Sequence, residues 1–160
     1  MLKRHALLYM MSFGLGLMFT ALASCSTNTV YYSFDHTPIA GWEKNDTLLF
    51  DVPRLARGGT YEQLLGLRMT GDFPFTSVSL IFEQTVLPHG KVYTDTVKCQ
   101  ITDSRGNFLG DGISAYQYTF PVRQLSLSKG DSIHICVRHN MKREILPGVS
   151  DVGIEMNLKQ

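Results

Sequence analysis

Cys25 is the side chain whose position most clearly indicates chemistry, because its thiol closes the run Leu22-Ala23-Ser24-Cys25 after the first hydrophobic segment. A cysteine thiolate is a nucleophile, so it can form a covalent bond to a modifying group. Segment 6–23 carries no charged residue, and a basic start, Lys3-Arg4-His5, precedes it. A basic start, an apolar stretch and small residues before a cleavage position form a secretory signal peptide. The sequence therefore predicts export.

The four residues 22–25 resemble the lipobox of bacterial lipoproteins. The resemblance implies that the Cys25 thiol receives a diacylglyceryl group, that the chain is cut between Ser24 and Cys25, and that the new amine is acylated. Two or more acyl chains anchor a protein stably to a membrane. A plain secretory signal is one alternative. A retained membrane helix is another, although a span needs about 20 apolar residues and no basic cluster follows this shorter run.

The predicted organisation is a signal peptide over 1–24, a lipidated cysteine with a short polar tether over 25–29, and one domain over 30–160. The chain has 15 Lys and Arg and 14 Asp and Glu, and the signal holds two of the basic residues, Lys3 and Arg4. Charge in the mature chain is therefore nearly balanced, and the sequence shows no basic patch. Nucleic acid is not an expected partner.

Catalytic and metal motifs are missing from the sequence. It holds no nucleophile elbow, phosphate loop or zinc-ligand spacing. His134 and His139 are five apart, which sends them to opposite faces of a strand. Asp103, Asn107 and Asp111 resemble calcium ligands loosely, but β-turns use the same residues. We expect no enzyme activity, no cofactor and no metal.

Aromatic residues near the start of the domain allow one alternative function. Trp42, with Tyr31 and Tyr32, could form a surface that stacks on sugar rings of an envelope glycan. The competing interpretation is that Trp42, the single tryptophan, covers the open end of a hydrophobic core, since large aromatic residues are mostly buried.

Three short motifs read Asp, hydroxyl residue, aliphatic: Asp46-Thr47-Leu48, Asp95-Thr96-Val97 and Asp131-Ser132-Ile133. They look like the acceptor motif of the general O-glycosylation system of Bacteroidetes envelope proteins, which predicts glycan on Thr47, Thr96 or Ser132. The same residues are also an ordinary way to leave a turn and begin a strand.

Apolar residues alternate with polar ones along almost the whole mature chain, and turn signals rich in Gly, Pro and Asp separate the alternating segments. This period of two predicts half-buried strands. We expect an all-β antiparallel sandwich of about eight or nine strands, immunoglobulin-like or jelly-roll in type, with a hairpin over 94–108. Single helical turns are possible at 59–65 and 122–127. The alternation also favours two separate thiols at Cys99 and Cys136.

Several segments, taken in order, resemble the gliding-motility lipoprotein GldH family of Bacteroidetes. They extend from the lipobox to the C-terminus, and the tail is the most specific part. The segments are Tyr31-Tyr32-Ser33-Phe34, Trp42, Asp46-Thr47-Leu48-Leu49-Phe50, Leu67-Arg68, Asp72-Phe73-Pro74-Phe75, 78–82, Asp95-Thr96-Val97, Asp103, Gly106, Gly110-Asp111-Gly112, 139–143, 146–149 and 151–154. The resemblance implies a periplasm-facing, outer-membrane lipoprotein that assists gliding motility, a process linked to type IX secretion. It implies envelope proteins as partners and no catalytic residues.

The tail 141–152 combines a basic pair, a Pro-Gly turn and an aliphatic strand. It is either a crossover loop that packs over one end of the sandwich or a partner-binding loop in which Lys142 and Arg143 make contact, because loops on rigid scaffolds often bind. The family resemblance implies an arginine directly after Met141, where this chain has Lys142.

Overall fold

The structure is a computed structural model that describes residues 28–159. Cys25 and the signal segment lie outside the described residues. The described residues form eleven β-strands: β1 Thr29–His36, β2 Trp42–Glu43, β3 Leu48–Val52, β4 Gly59–Thr70, β5 Ser77–Leu87, β6 Lys91–Gln100, β7 Asp111–Gly112, β8 Ala115–Leu127, β9 Ser132–His139, β10 Ile145–Leu146 and β11 Val149–Leu158. Among these residues, no helix has the length and apolar character needed to span a bilayer.

The strands form two main antiparallel sheets, with orders β1-β11-β4-β8-β7 and β3-β9-β5-β6, and the short β10-β2 pair lies apart. If only the eight strands of five or more residues are numbered, the two sheets read 1-8-3-6 and 2-7-4-5. This is the jelly-roll order, in which two Greek keys fold a double sheet. The expected all-β sandwich is confirmed, and the strand order is that of the jelly-roll type rather than the immunoglobulin-like type.

The period of two determines which residues form the core. β3 alternates buried and exposed residues throughout, and β5 places Val78, Leu80 and Phe82 inside with Ser79 and Ile81 outside. Each fully buried aliphatic or aromatic side chain contributes roughly 1.5–3 kcal/mol relative to exposure. The inward-facing side chains of the two sheets therefore pack into one hydrophobic core.

Two expectations about local structure need correction. Residues 59–65 and 122–127 form no helical turn, because they belong to the long paired strands β4 and β8. A bulge interrupts that pairing between Gln63 and Leu64, whose partners are Arg123 and Pro121. The predicted hairpin over 94–108 closes through a single bridge, Thr102 to Phe108, around a turn in which the Asp103 carboxylate accepts the backbone N–H groups of Arg105 and Asn107.

Both described cysteines are free, as the alternation predicts. Cys99 faces the core, where burial raises the pKa of its thiol to about 12. Cys136 lies on the outer face of the same sheet. Strands point successive side chains to opposite faces, so these two thiols lie on opposite sides of one sheet.

The sandwich has two ends, which we name by the first strand. β1 begins at the near end, which also includes the loops 53–58 and 128–131, the β5–β6 turn 88–90 and Lys159. The far end carries the loops 37–47, 71–76 and 101–114 and the crossover segment 140–148, which joins the two sheets. Any chain leading to Thr29 therefore enters at the near end.

Candidate functional site

Strand pairing and backbone hydrogen bonds fix the crossover segment 140–148 at the far end. Its strand β10 pairs with β2, so that Ile145 opposes Glu43 and Leu146 opposes Trp42. The Lys44 N–H donates to the Glu144 carbonyl at 2.8 Å, and the Thr70 N–H donates to the Gly148 carbonyl at 2.8 Å. The crossover is thus tied to the domain on both sides.

Gly148 is required where the crossover turns back into β11. Its φ is +79°, a left-handed conformation that side chains with a Cβ seldom adopt. A Cβ built there would lie 2.5 Å from the backbone nitrogen of Phe73. The Pro147-Gly148 signal in the sequence therefore marks both a turn and a close backbone approach.

Trp42 is buried beneath the crossover and pairs with its residue Leu146. Its side chain is fully buried, its Nε1–H donates to the Asp46 carbonyl at 2.9 Å, and its ring meets the His139 ring edge-to-face at 5.4 Å. Burial in this setting lowers the pKa of His139. The neutral ring then donates from Nε2 to the Trp42 carbonyl at 3.1 Å and accepts the Met141 N–H at Nδ1.

The predicted partner residues project from this supported loop. Lys142 and Arg143 are exposed, and neither forms an ion pair with a carboxylate of residues 28–159. Together with Asn140, Met141 and Phe75 they line a concavity of about 520 Å³. The structure shows a crossover over the sandwich end with these two cations exposed on it. The binding of a partner by Lys142 and Arg143 stays a prediction. Phe75 was missed, because its sequence neighbours say nothing about a loop 66 residues away.

A second groove adjoins the crossover on its other side, with a volume of about 500 Å³. Its lining residues come from three far-end segments: His36, Thr37, Ile39, Thr70, Asp72, Pro147, Gly148, Val149 and Ser150. Ile39 is completely exposed above it. The far end therefore offers apolar and cationic groups side by side.

The three predicted acceptor motifs lie far apart, and the aspartate side chains of two of them have structural roles. Asp131 is buried and accepts the Ser128 N–H at 2.8 Å, which closes the β8–β9 turn. Asp95 pairs with Arg123 through two contacts of 2.7 and 2.8 Å between β6 and β8. Of the hydroxyl residues, Thr96 is exposed on the edge strand β6, whereas Thr47 and Ser132 are half-buried.

An Asp–His–Cys arrangement that the sequence analysis did not identify lies on the outer face of the four-stranded sheet. Asp51 Oδ1 lies 2.6 Å from His134 Nδ1, and His134 Nε2 lies 3.6 Å from Cys136 Sγ. Desolvation and the nearby Glu83 carboxylate raise the pKa of Cys136, which disfavours the nucleophilic thiolate. The period of two indicated that His134 and Cys136 share a face, but strand pairing with Asp51 could not be read from it.

His36, His134 and His139 do not converge on one site. His139 is buried behind Trp42, His134 faces outward on β9, and His36 contacts Asp151 on the other sheet. The odd spacing of His134 and His139 therefore correctly predicted that the two side chains lie on opposite faces of β9. Within residues 28–159, no three or more His, Cys, Asp and Glu side chains are grouped so as to hold a metal ion.

Trp42 is buried and therefore cannot stack on a sugar ring, so the predicted glycan-stacking surface lacks its tryptophan. Tyr32 remains 56 % exposed and meets Phe34 edge-to-face at 5.4 Å. The Phe34 ring covers Gly66 and Gly153, and the Arg68 guanidinium lies 4.2 Å from its centre. This aromatic–cation group sits on the outer face of the five-stranded sheet.

A family model and two curated relatives all match this chain to GldH lipoproteins. The model of a family described as GldH lipoprotein matches residues 29–156. "Gliding motility lipoprotein GldH" of Flavobacterium johnsoniae is 26% identical over 145 residues, which cover 86% of this chain and 90% of that protein. "Gliding motility lipoprotein GldH homolog" of Christiangramia forsetii is 22% identical over 143 residues, with coverages of 84% and 86%.

Two solved structures resemble this chain distantly. A protein from Sulfurospirillum deleyianum aligns with a TM-score of 0.43 at 10% identity, over 81% of this chain and 98% of that one. A family 35 carbohydrate binding module from Clostridium thermocellum aligns with a TM-score of 0.41 at 12% identity, over 76% and 87%. Nothing about ligands follows from similarities at this level.

Proposed function

Because this chain belongs to the GldH lipoprotein family, we propose that it is a non-catalytic, lipid-anchored accessory subunit of the gliding-motility machinery. In this proposal the anchor lies in the outer membrane and the sandwich extends into the periplasm. The names of its curated relatives, which are gliding motility lipoproteins rather than enzymes, support this role. The raised pKa of Cys136 is also unfavourable to thiol catalysis at the Asp–His–Cys group.

The anchor in this proposal is Cys25, lipidated after cleavage behind Ser24. Its position supports this, because Thr29, which begins β1, is only four residues further along the chain. Replacement Cys25→Ala should move the domain from the membrane to the soluble fraction of the native host without changing its fold. Cys136→Ala is the matched control and should stay on the membrane. Membrane retention of Cys25→Ala after a carbonate wash would contradict the proposal.

The partner-binding element in this proposal is the crossover 140–148. The observation that carries it is the exposure of Lys142 and Arg143 beside an apolar concavity, on a loop that β2 and buried Trp42 hold in place. A fixed loop loses little conformational freedom when it binds. An acidic or mixed acidic and apolar surface on another envelope protein fits these groups.

Crosslinking in the native host, followed by mass spectrometry, identifies the partners. Lys142→Glu with Arg143→Glu should abolish the capture of at least one of them while the melting temperature is unchanged. The control is Lys98→Glu with Arg105→Glu, two exposed cations outside the crossover. A fall in melting temperature with full partner capture would indicate that the crossover has only a structural role.

A second candidate function is binding of an envelope glycan or similar ligand. One observation favours it: Tyr32 is exposed beside Phe34 and Arg68 on an open sheet face. Aromatic rings and a cation in this arrangement can stack on a planar or sugar-like ligand. Tyr32→Ala should then abolish pull-down of the protein by isolated cell-envelope glycan, and unchanged pull-down would remove this candidate.

A further inference from the structure

The near end of the sandwich gathers exposed basic side chains from across the sequence. Loop 53–58 supplies two of them, the first residue of β6 one, the β8–β9 turn one and the end of the chain one. They are Arg54, Arg57, Lys91, Lys129 and Lys159, all classed as exposed. Because more than a hundred residues separate the first from the last, the sequence showed no basic patch; the fold creates one.

The carboxylates nearest this end are already engaged. Asp131 is buried and accepts the Ser128 N–H, Glu62 pairs with Lys159 at 3.2 Å, and Asp51 bonds to His134 at 2.6 Å. Among the described residues, Arg54, Arg57, Lys91 and Lys129 form no ion pair. Their positive charge is therefore available to an external anion.

Charge is distributed unevenly between this end and the rest of the domain. Apart from these five cations and three carboxylates, residues 28–159 hold eight Lys and Arg and eleven Asp and Glu. A chain with almost no net charge is thus positive at the near end and negative elsewhere. Such a domain has a preferred orientation in front of a charged surface.

Apolar side chains lie within the same surface. Leu87 and Val92 flank the β5–β6 turn and are 44% and 57% exposed. Lys91 lies between them in the sequence, with its Nζ 4.9 Å from the centre of the Tyr93 ring. Apolar residues next to cations are the combination that binds at the boundary between lipid headgroups and acyl chains.

The length of chain before β1 places this end near the anchor. The Leu158 N–H donates to the Asn28 carbonyl at 2.8 Å, so Asn28 is already attached to the sandwich. Only three residue steps separate Asn28 from Cys25, which is about 10 Å of fully extended chain. The Debye length at physiological ionic strength is about 8 Å. Cations held this close to a bilayer interact with its surface charge.

We propose that the near end is a docking surface for a bilayer that contains anionic phospholipids, and that this contact holds the sandwich upright on the membrane. The inference rests on the proposed lipidation of Cys25. β4 runs from the near end to the far end and, with twelve residues, is about 40 Å long. Upright docking therefore presents the crossover 140–148 about that distance from the membrane, facing away from it.

Lysine footprinting of the mature, lipidated protein tests this orientation. The protein is reconstituted into vesicles of phosphatidylcholine alone or with one-third phosphatidylglycerol, and acetylation of each lysine is followed by mass spectrometry. We expect Lys91 and Lys129 to react at least threefold more slowly on the anionic vesicles, and 0.5 M NaCl to remove the difference. Lys98 and Lys142 are internal controls and should react equally on both. Equal reaction of Lys91 and Lys129 on both vesicles overturns the proposal.

A variant that leaves the reporter lysines intact provides the second arm. Arg54→Gln with Arg57→Gln should abolish most of the protection of Lys91 and Lys129, whereas Lys98→Gln with Arg105→Gln should leave it unchanged. Unchanged protection in the first variant overturns docking through this surface. The salt wash separates the two proposals. Protein that 0.5 M NaCl releases from the vesicles contradicts the lipid anchor. Protein that stays bound through the wash, but whose Lys91 and Lys129 react equally on both vesicles at low salt, contradicts docking alone.

Discussion

Gln63 and Gln84 exchange two hydrogen bonds across the interior of the sandwich, with each side-chain Nε2 donating to the other Oε1 at 2.6 and 2.9 Å. Gln63 lies on β4 and Gln84 on β5, so this pair joins the two sheets. Both side chains are fully buried. Each amide therefore depends on the other for part of its hydrogen bonding.

Gln63→Leu should lower the free energy of unfolding by about 1–3 kcal/mol, because it leaves the Gln84 amide buried and unpaired. The double variant Gln63→Leu with Gln84→Leu should recover most of this loss, because two apolar residues of similar size leave no buried amide without a hydrogen-bond partner. Urea unfolding measures the wild type, the two single variants Gln63→Leu and Gln84→Leu, and the double variant. Equal, additive losses from the two substitutions would show that the amides do not act as a pair.

The buried His139 should make stability depend on pH. Burial lowers its folded-state pKa from the ordinary value of 6.5, so below pH 6.5 the unfolded chain binds more protons at this residue than the folded chain. Its contribution to stability is therefore present at pH 7.5 and is lost as the pH falls below 6.5. His139→Gln should show a smaller drop in urea midpoint between pH 7.5 and 5.5 than the wild type. Identical drops would contradict this.

Gly153 should tolerate no side chain, because Phe34 covers it. A Cβ at Gly153 would lie 2.6 Å from the Phe34 ring. Gly153→Ala should lower the free energy of unfolding by about 1–3 kcal/mol, as overpacking does. The control is Gly71→Ala, where a Cβ would meet nothing within 4 Å. In the Phe34→Ala background, Gly153→Ala should cost clearly less, because the clashing ring is gone; an undiminished cost would show that Phe34 is not the cause.

We predict O-linked glycan on the mature protein from the native host, and exposure favours Thr96 over Thr47 and Ser132. Intact-mass spectrometry should give a mass above that of the lipidated chain, and Thr96→Ala should remove that difference or a defined part of it. Thr96→Ala is a clean test because it leaves the Asp95–Arg123 pair in place. A wild-type mass explained by lipid alone contradicts the prediction.

Sequence patterning predicted most of the strands and few of the contacts between them. The alternation in 77–84 determined which face of β5 is buried, because side-chain direction in a strand is a local property. The assignment failed at 59–65, where a run rich in Leu fits a helical turn or a strand until pairing with β8 decides. Asp51 beside His134, the Gln63–Gln84 pair and the basic near end all depend on strand pairing or loop proximity. These are properties of the whole chain that no local window contains.

The jelly-roll order has a mechanical consequence. β1 is the first strand after the tether and lies beside β11 along its whole length. If the anchor holds the N-terminus while a partner pulls on the far end, the force acts along the axis of β1. Such a force strains the hydrogen bonds between β1 and β11 together, as a shear, rather than peeling them apart one after another. The attachment of the domain to its tether is thereby strongest against pulling in the direction perpendicular to the membrane.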